Sequence, residues 1–370
     1  MTQKMKIHGG DVYGLARKTA IPAQQWLDFS ANINPLGMPD GVRRAMLEAV
    51  EDAVYYPDPD CLRLREALAR EHGIDRDWIL CGNGGADLIF RIAYAESRLH
   101  AEQAQDRAWK AFVPAPTFLE YEQALKQAGA QVIAPVMGER LELQETILDQ
   151  ITTDLAMMFI CMPNNPTGLL PDPQLLKQIA ERTRRTGTRL VVDESFLEFT
   201  ADGKTRSLIG QLESAQHVIV LRSFTKLYAI PGIRLGYAVS ADTGFLKRMA
   251  GAGQTWPVNG IAMAAGLAAL KEKEFVEKTV GCVSRERQWM KHELEMLGAQ
   301  VWDGQANYLF FRLPGCTDLY EKLLLDQIVI RRCCNYPGLT EEYYRVAVKR
   351  HDQNERLIRS MKQERSHYGG

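Results

Sequence analysis

One amine, one guanidinium group and two hydroxyl groups follow an apolar segment near the middle of the chain. Residues 217–221 form the apolar segment, Ser223, Thr225 and Lys226 come directly after it, and Arg234 follows eight residues later. The segment predicts a buried strand, and ligands of α/β proteins bind beyond the carboxyl ends of strands. These groups suit an anionic ligand with a carbonyl group, to which a lysine amine adds to form a Schiff base. An ordinary solvated loop lysine is the alternative interpretation of this stretch alone.

Three further side chains follow apolar strand patterns. Asp193 ends the segment 190–192, where a carboxylate is costly to bury without a partner. It could hold a pyridine nitrogen protonated, or it could cap a helix or form a surface ion pair. Asn165 follows the segment 155–161 and could bond a phenolic oxygen or simply form a turn. Phe118 follows another strand and could stack on an aromatic ring or fill the core.

The turn Gly84-Gly85-Ala86 leads from a short strand into a predicted helix. Free N–H groups at the start of a helix bind phosphate, and glycines let the backbone approach the anion closely. An ordinary turn between a strand and a helix is the alternative. The surrounding run is not the dinucleotide-binding motif, because its sixth position is Asp87, and the chain contains no nucleotide P-loop motif.

Apolar runs and helical patterns alternate through the first two thirds of the chain, which predicts an α/β fold with a mostly parallel sheet. Residues 41–54 predict one of its helices. The pattern then changes to long helices and short strands, for example residues 328–331. We therefore predict an amino-terminal arm over residues 1–40, a large domain over 41–255, and a smaller α+β domain over 256–370 that packs with the arm.

The composition excludes several classes of function. The chain has 370 residues, 46% of them hydrophobic, and a formal net charge of −1, so it has no basic field for nucleic acid. No apolar run approaches the ~18 residues of a membrane span, and the first residues lack the apolar core of a signal peptide. Seven scattered cysteines indicate neither a disulfide framework nor a zinc site. We predict a cytoplasmic protein that binds no metal, membrane or nucleic acid.

Taken together, the motifs resemble a known family. Pro163-Asn-Asn-Pro-Thr-Gly168, Asp193-Glu194, Ser223-Phe-Thr-Lys226 and Arg234-Leu-Gly236 occur in the order and spacing of fold-type I pyridoxal-phosphate enzymes of the class I/II aminotransferase superfamily. The resemblance covers essentially the whole chain. It implies a large domain with a mostly parallel central sheet flanked by helices, a smaller α+β domain, and pyridoxal 5'-phosphate as the cofactor.

The resemblance also implies roles for individual residues. Lys226 would hold the cofactor covalently, Asp193 would pair with its pyridine nitrogen, and Asn165 would bond its ring oxygen. The other implied cofactor contacts are Phe118, stacked on the ring, and Ser223, Arg234, Gly84, Gly85 and Ala86, around the phosphate.

Two positions carry separate implications of the resemblance. Tyr56 would reach the cofactor phosphate of a neighbouring subunit, which implies a homodimer with shared active sites.

Phe196 stands where the superfamily often has tyrosine. Because a phenyl ring cannot donate a hydrogen bond, Asn165 would then act alone on the ring oxygen.

A narrower resemblance concerns the arm and the small domain. His8-Gly-Gly10 and the segments 28–39, 229–232 and 335–339 resemble the threonine-phosphate decarboxylases of cobalamin biosynthesis. These lyases convert L-threonine O-3-phosphate to (R)-1-amino-2-propanol O-phosphate, the linker to the nucleotide loop. The implied ligands of the doubly anionic substrate are Arg331 and Arg345, at the ends of short strands, with His8 and Asn32 from the arm. Arg332 should face the other way, because neighbouring residues of a strand alternate.

The residue types leave alternatives open. Decarboxylation rather than transamination rests on the resemblance, because the sequence does not show which bond of the substrate is aligned to break. L-Serine O-phosphate, which would yield ethanolamine phosphate, differs from the threonine compound by one methyl group, worth only ~1 kcal/mol in a pocket. An aminotransferase for histidinol phosphate and a non-catalytic binding protein are the further alternatives.

Overall fold

The computed structural model describes residues 9–102 and 108–366, so the candidate substrate ligand His8 lies outside the described residues. The α-helices, in chain order, are α1 (Val12–Thr19), α2 (Asp40–Glu48), α3 (Leu62–His72), α4 (Gly85–Glu102), α5 (Leu119–Gln127), α6 (Pro173–Thr186), α7 (Gly203–Arg206), α8 (Phe224–Leu227), α9 (Thr243–Gly251), α10 (Gly260–Ala269), α11 (Lys273–Met296), α12 (Leu319–Leu325) and α13 (His351–Ser366). The β-strands are β1 (Leu27–Asp28), β2 (Ile79–Gly82), β3 (Lys110–Phe112), β4 (Gln131–Ile133), β5 (Leu155–Cys161), β6 (Arg189–Asp193), β7 (Val218–Ser223), β8 (Gly236–Val239), β9 (Gln300–Val301), β10 (Tyr308–Arg312), β11 (Ile328–Val329), β12 (Arg331–Arg332) and β13 (Tyr343–Ala347).

A seven-stranded sheet with the order β2-β8-β7-β6-β5-β3-β4 forms the centre of the molecule. Its neighbours from β7 to β4 are parallel, whereas β8 runs antiparallel to both β7 and β2. The predicted mostly parallel sheet is therefore confirmed. In its register Asp193 lies between Cys161 of β5 and Leu221 of β7, so the carboxyl ends of three neighbouring strands meet at one edge.

Helices cover both faces of this sheet. Val191 and Val192 are adjacent on β6 but belong to different hydrophobic clusters, as the alternation of a strand requires. The cluster of Val191 includes side chains of α4, α5 and α9, and that of Val192 includes side chains of α6. The strands are buried on both faces, which explains their continuous apolar sequences.

Local sequence signals define the helix ends, as α6 illustrates. Asp172 caps this helix, because its carboxylate accepts from the N–H groups of Gln174 and Leu175. Pro173 occupies the first turn, where its missing N–H costs nothing. Gly187 ends the helix in the left-handed conformation with φ of 75°, which glycine adopts without strain.

The small sheet has the order β12-β13-β10-β9 and is antiparallel throughout. The arm joins this part of the molecule through β1, which pairs in parallel with β11. The N–H of Ala347 in β13 also donates to the carbonyl of Phe29 on the arm. These contacts support the predicted packing of the arm, and the boundaries 1–40, 41–255 and 256–370 remain our proposal.

Two predicted elements differ from the structure. The helix predicted over residues 41–54 ends at Glu48, and a 3₁₀ turn follows at Glu51–Val54. The strand predicted over residues 328–331 is divided into β11 and β12, because its first half pairs with the arm and its second half pairs with β13. Among the described residues, no helix combines the length and the apolar character that crossing a membrane requires.

Candidate active site

Lys226 lies in the single helical turn α8, directly after β7. The hydroxyl of Ser223 accepts from the N–H of Thr225 and lies 2.8 Å from the Thr225 hydroxyl, which fixes the start of the turn. Burial lowers the pKa of the Lys226 amine to about 8, and the charges of Arg345 and Arg234 act in the same direction. About a tenth of an amine with this pKa is neutral at pH 7, against less than about a thousandth of an ordinary lysine, so more of it is nucleophilic near neutral pH.

The arm holds the lysine turn through Asn34, which the sequence did not single out. The backbone N–H of Asn34 donates to the carbonyl of Lys226 over 3.1 Å. Its side-chain Nδ2 donates to the carbonyl of Leu227 at 2.6 Å and to the hydroxyl of Thr279 on α11 at 2.8 Å. Asn34 thus connects the arm, the lysine turn and the carboxyl-terminal part of the chain.

The predicted phosphate site is a close approach of two segments, 84–85 and 234–236. Gly84 has φ of 85°, and a Cβ atom at this position would lie 2.6 Å from Nη2 of Arg234. A Cβ atom on Gly236 would lie 3.1 Å from both the carbonyl carbon of Gly84 and the nitrogen of Gly85. The absence of side chains at these glycines brings the guanidinium group against the start of α4. A guanidinium group beside the N–H groups at the start of a helix is an arrangement that suits a phosphate group.

Asp193 is almost fully buried at the end of β6, and both of its carboxylate oxygens accept hydrogen bonds. The Tyr121 hydroxyl donates to Oδ2 at 2.6 Å, and the N–H of Ser195 donates to Oδ1 at 2.9 Å. Phe118 lies beside this pair, with its ring edge-on to that of Tyr121 at 5.5 Å. The structure therefore brings Phe118 and Asp193 together through Tyr121, a residue that the sequence analysis missed.

Arg345 connects the small sheet to the large sheet and to the arm. Its Nη1 donates to Oδ1 of Asn165, and its Nη2 donates to the carbonyl of Ser30 at 2.9 Å. The sequence predicts this arginine at the end of a strand, but it occupies the middle of β13, opposite Phe310 of β10.

Two buried polar atoms of the predicted substrate residues have no hydrogen-bond partner within the described parts of the chain. They are Nε of Arg345 itself and Oδ1 of Asn32, whose side chains are 5% and 3% exposed. A buried polar group without a partner is costly, so such atoms indicate where a polar ligand binds. A donor and an acceptor of this kind fit an anionic ligand that also carries an amine.

Arg331 faces Arg345 across the β12–β13 pair. Its Nη2 donates to Oδ1 of Asn335 at 2.8 Å, and its guanidinium lies over the ring of Tyr336. Arg332 instead donates to Glu321, in agreement with its predicted opposite orientation.

Phe196, which stands where the resemblance leads one to expect tyrosine, packs against another aromatic ring. Its buried ring lies edge-on to the ring of Tyr308 at 5.1 Å. The Tyr308 hydroxyl donates to the carbonyl of Asn164, and the Tyr308 ring lies under Arg345. Tyr308 thus supports both the Asn164–Asn165 loop and the arginine, and the sequence analysis did not identify it.

Tyr56 lies on the surface of the single chain. Its side chain is 80% exposed and stacks on Trp256, with ring centroids 4.5 Å apart. Within one chain this tyrosine is therefore not buried. Arg234 is also exposed, whereas the other side chains predicted to contact the cofactor are buried or half-buried.

The fold and these site residues define the class of protein. The sequence model of the family described as aminotransferase class I and II matches residues 24–361, and the chain belongs to this family. Threonine-phosphate decarboxylase from Salmonella typhimurium is 40% identical to this chain over 359 residues, which are 96% of this chain and 95% of that protein.

Solved structures agree with this assignment. Histidinol-phosphate aminotransferase from Clostridium acetobutylicum is 28% identical, with a TM-score of 0.84 over 92% of this chain and 99% of that one. L-threonine-O-3-phosphate decarboxylase from Porphyromonas gingivalis has a TM-score of 0.79 over 92% and 99% of the two chains, and at 24% identity it supports the fold alone. The predicted α/β fold of a large and a small part is therefore confirmed.

Proposed function

We propose that this chain is a pyridoxal-phosphate-dependent lyase that decarboxylates L-threonine O-3-phosphate to (R)-1-amino-2-propanol O-phosphate for the nucleotide loop of cobalamin. The observation that carries this proposal is the 40% identity to a threonine-phosphate decarboxylase over nearly the full length of both proteins. The histidinol-phosphate aminotransferase of similar fold is only 28% identical. The predicted cytoplasmic location stays a prediction.

The residues present fit pyridoxal phosphate. The close approach of Gly84 to Arg234 suits its phosphate, and the buried carboxylate of Asp193 suits its protonated pyridine nitrogen. When bound through Lys226, the cofactor draws electrons from the carbon that carries the substrate's amino group, so that a bond to this carbon breaks more readily. The residues that would hold the cofactor are Lys226, Asp193, Asn165, Phe118, Ser223, Arg234, Gly84, Gly85 and Ala86.

The two arginines of the small sheet would each bind one anionic group of the substrate. Arg345 donates to Asn165, which we assign to the cofactor ring, so Arg345 lies nearer the reacting carbon and would bind the carboxylate. Arg331 lies opposite it and would bind the phosphate together with Asn32. The role of His8 at the phosphate stays a prediction, because this residue lies outside the described residues.

Arg345 and Lys226 would each take part in the loss of carbon dioxide. Arg345 holds the carboxylate until the bond between the two carbon atoms breaks, and the bonding electrons stay with the carbon that carries nitrogen. Lys226, once the substrate's amino group has taken its place and passed it a proton, would donate a proton to this carbon. Its lowered pKa favours such a transfer, because a group with a pKa near 8 gives up its proton more readily than an ordinary lysine.

We further propose a homodimer in which Tyr56 completes the site of the neighbouring subunit. The exposed Tyr56 supports this, because a large apolar surface on one chain favours association. Other exposed apolar side chains on the same segment are Leu47, Val50, Val54 and Tyr55.

The experiment that tests the proposed reaction compares three substrates. Purified protein with pyridoxal phosphate receives L-threonine O-3-phosphate, L-serine O-phosphate or histidinol phosphate, and carbon dioxide and amine products are measured. We expect the threonine compound to give the highest kcat/KM. If the serine compound is used better, the substrate assignment is wrong.

Transamination of histidinol phosphate is the second candidate, favoured by the high structural similarity to the Clostridium enzyme. It requires a 2-oxo acid as amino-group acceptor and releases no carbon dioxide. Consumption of histidinol phosphate that depends on 2-oxoglutarate would support this candidate.

A further inference from the structure

Among the described residues, Tyr121 is the side chain whose hydroxyl group donates a hydrogen bond to the carboxylate of Asp193. It lies on the first turn of α5, three residues after Phe118, and its side chain is 1% exposed. The 2.6 Å distance from its hydroxyl oxygen to Oδ2 of Asp193 is at the short end of the range for a hydroxyl donating to an anion. The contact joins a helix to a strand 72 residues further along the chain.

Two aromatic neighbours fix the direction of this hydroxyl. The Tyr121 ring stacks on Phe159 of β5, with centroids 4.9 Å apart and planes 24° apart. Phe118 meets the same ring edge-on, with an interplanar angle of 81°. A ring held on its face and its edge cannot swing away from the carboxylate, so the hydrogen bond is preorganised.

The hydroxyl of Tyr121 also stays protonated. Burial and the nearby charge of Asp193 raise the pKa of the phenol well above its usual value, so it remains a donor throughout the physiological range. Asp193 accepts one hydrogen bond on each oxygen, from Tyr121 and from the Ser195 N–H. A carboxylate has about four acceptor positions, so places remain for the N–H of a protonated pyridine.

We propose that Tyr121 is a positioning residue that holds the proton on the cofactor's pyridine nitrogen by stabilising the negative charge of Asp193. This inference rests on the proposed function. A hydrogen bond to a carboxylate favours its charged form. It therefore favours the pair of carboxylate and protonated pyridine over the neutral pair in which the proton has moved to Asp193. Only the protonated ring is a strong electron acceptor, so the hydroxyl would act on the reaction without touching cofactor or substrate.

The test measures where the proton lies. The protein is reconstituted with pyridoxal phosphate labelled with ¹⁵N in the ring, and the ¹⁵N chemical shift is recorded by solid-state NMR. We expect the wild-type resonance in the range of a protonated pyridine, and we expect Tyr121→Phe to move it towards the unprotonated range. Loss of one hydrogen bond to a charged group should also lower kcat roughly ten- to a hundredfold. An unchanged ¹⁵N shift in Tyr121→Phe would overturn the inference, whatever the change in kcat.

Two controls separate this role from simple packing. Tyr344→Phe removes the hydroxyl of another fully buried tyrosine, which donates to the carbonyl of Cys316, and should leave the ¹⁵N shift unchanged. In an Asp193→Asn background, Tyr121→Phe should have no further effect on the shift. If it has the same effect there, Tyr121 does not act through Asp193.

A further substitution guards against misfolding of the phenylalanine variant. Replacement of Tyr121 by 3-fluorotyrosine keeps the ring and makes the phenol a stronger donor, so the ¹⁵N shift should keep or strengthen its protonated character. Movement towards the unprotonated range would overturn the inference. If the wild-type protein neither binds the cofactor nor releases carbon dioxide, the proposed function itself fails; a functional wild type with no response at Tyr121 refutes only this inference.

Discussion

A lysine amine attacks a carbonyl carbon only in its neutral form, so the surroundings of Lys226 decide whether it reacts at neutral pH. Burial disfavours its charged form, and the guanidinium groups of Arg345 and Arg234 repel an additional positive charge. Asp28 acts in the opposite direction. The same two arginines that would bind anions thus also lower the pKa of the Lys226 amine.

We predict that Lys226 of the cofactor-free protein titrates near pH 8 rather than at the ordinary 10.5. Competitive acetylation over a pH series, followed by mass spectrometry of the Lys226 peptide, measures this midpoint. Arg345→Met removes a neighbouring positive charge, so the protonated amine becomes easier to form and the midpoint should rise. Arg332→Met is the matched control, because Arg332 pairs with Glu321, and it should leave the midpoint unchanged. A wild-type midpoint at or above 10 would contradict this account of Lys226.

At the scale of elements, the lysine turn is short and relies on its neighbours. The helix α8 has only four residues, and Asn34 of the arm donates to two of its carbonyl groups. Asn34 also donates to the hydroxyl of Thr279 on α11, and this contact joins the turn to the carboxyl-terminal part of the chain. The arm is therefore part of the frame that positions Lys226, in addition to its proposed role at the substrate.

We predict that Asn34→Ala lowers the free energy of unfolding by about 1–3 kcal/mol, because the carbonyl of Leu227 and the hydroxyl of Thr279 lose their buried donor, whereas the backbone bond to the Lys226 carbonyl stays. Thr279→Val is the milder partner substitution and should cost about 1 kcal/mol, since it removes one hydroxyl and leaves the contacts between Asn34 and α8 intact. Denaturant unfolding of the two variants measures the difference. Equal costs would show that the contact with Leu227 contributes nothing to stability.

The sequence predicts the site residues that follow strands, and it does so for a physical reason. Parallel strands place their carboxyl ends at one edge of a sheet, and the structure shows that Asn165, Asp193 and Ser223 belong to the ends of three neighbouring strands, β5, β6 and β7. Periodicity also located most strands and helices. It could not divide residues 328–331 into β11 and β12, because the division depends on which partners pair with each half.

The supporting residues could not be predicted in this way. Asn34 bonds a carbonyl 193 residues away and a hydroxyl 245 residues away, and no local pattern encodes such contacts. Tyr121 did carry a weak signal, because it lies one helical turn after Phe118 and so on the same face. Without the position of β6, however, that face could not be assigned to Asp193.

For the molecule as a whole, the exposed Tyr56 bears on whether two chains associate into a dimer. We predict that Lys226→Ala and Tyr56→Ala subunits, each poorly active alone, form hybrid dimers with one intact site. Equal mixing should then restore on the order of a quarter of the wild-type activity, because half of the dimers are hybrid and each has one of two sites intact. Refolding the mixture and measuring turnover at limiting cofactor tests this. Activity no higher than the mean of the two separate variants would contradict shared sites.

We propose that this site, with Lys226 as its reactive amine, removes carbon dioxide from a phosphorylated amino acid. The most direct measurement is the yield of carbon dioxide and of 1-amino-2-propanol O-phosphate from L-threonine O-3-phosphate, with pyridoxal phosphate and without any 2-oxo acid. We predict equal amounts of both products over many turnovers, and none with Lys226→Ala. Turnover that requires a 2-oxo acid, or that persists in Lys226→Ala, would contradict the account.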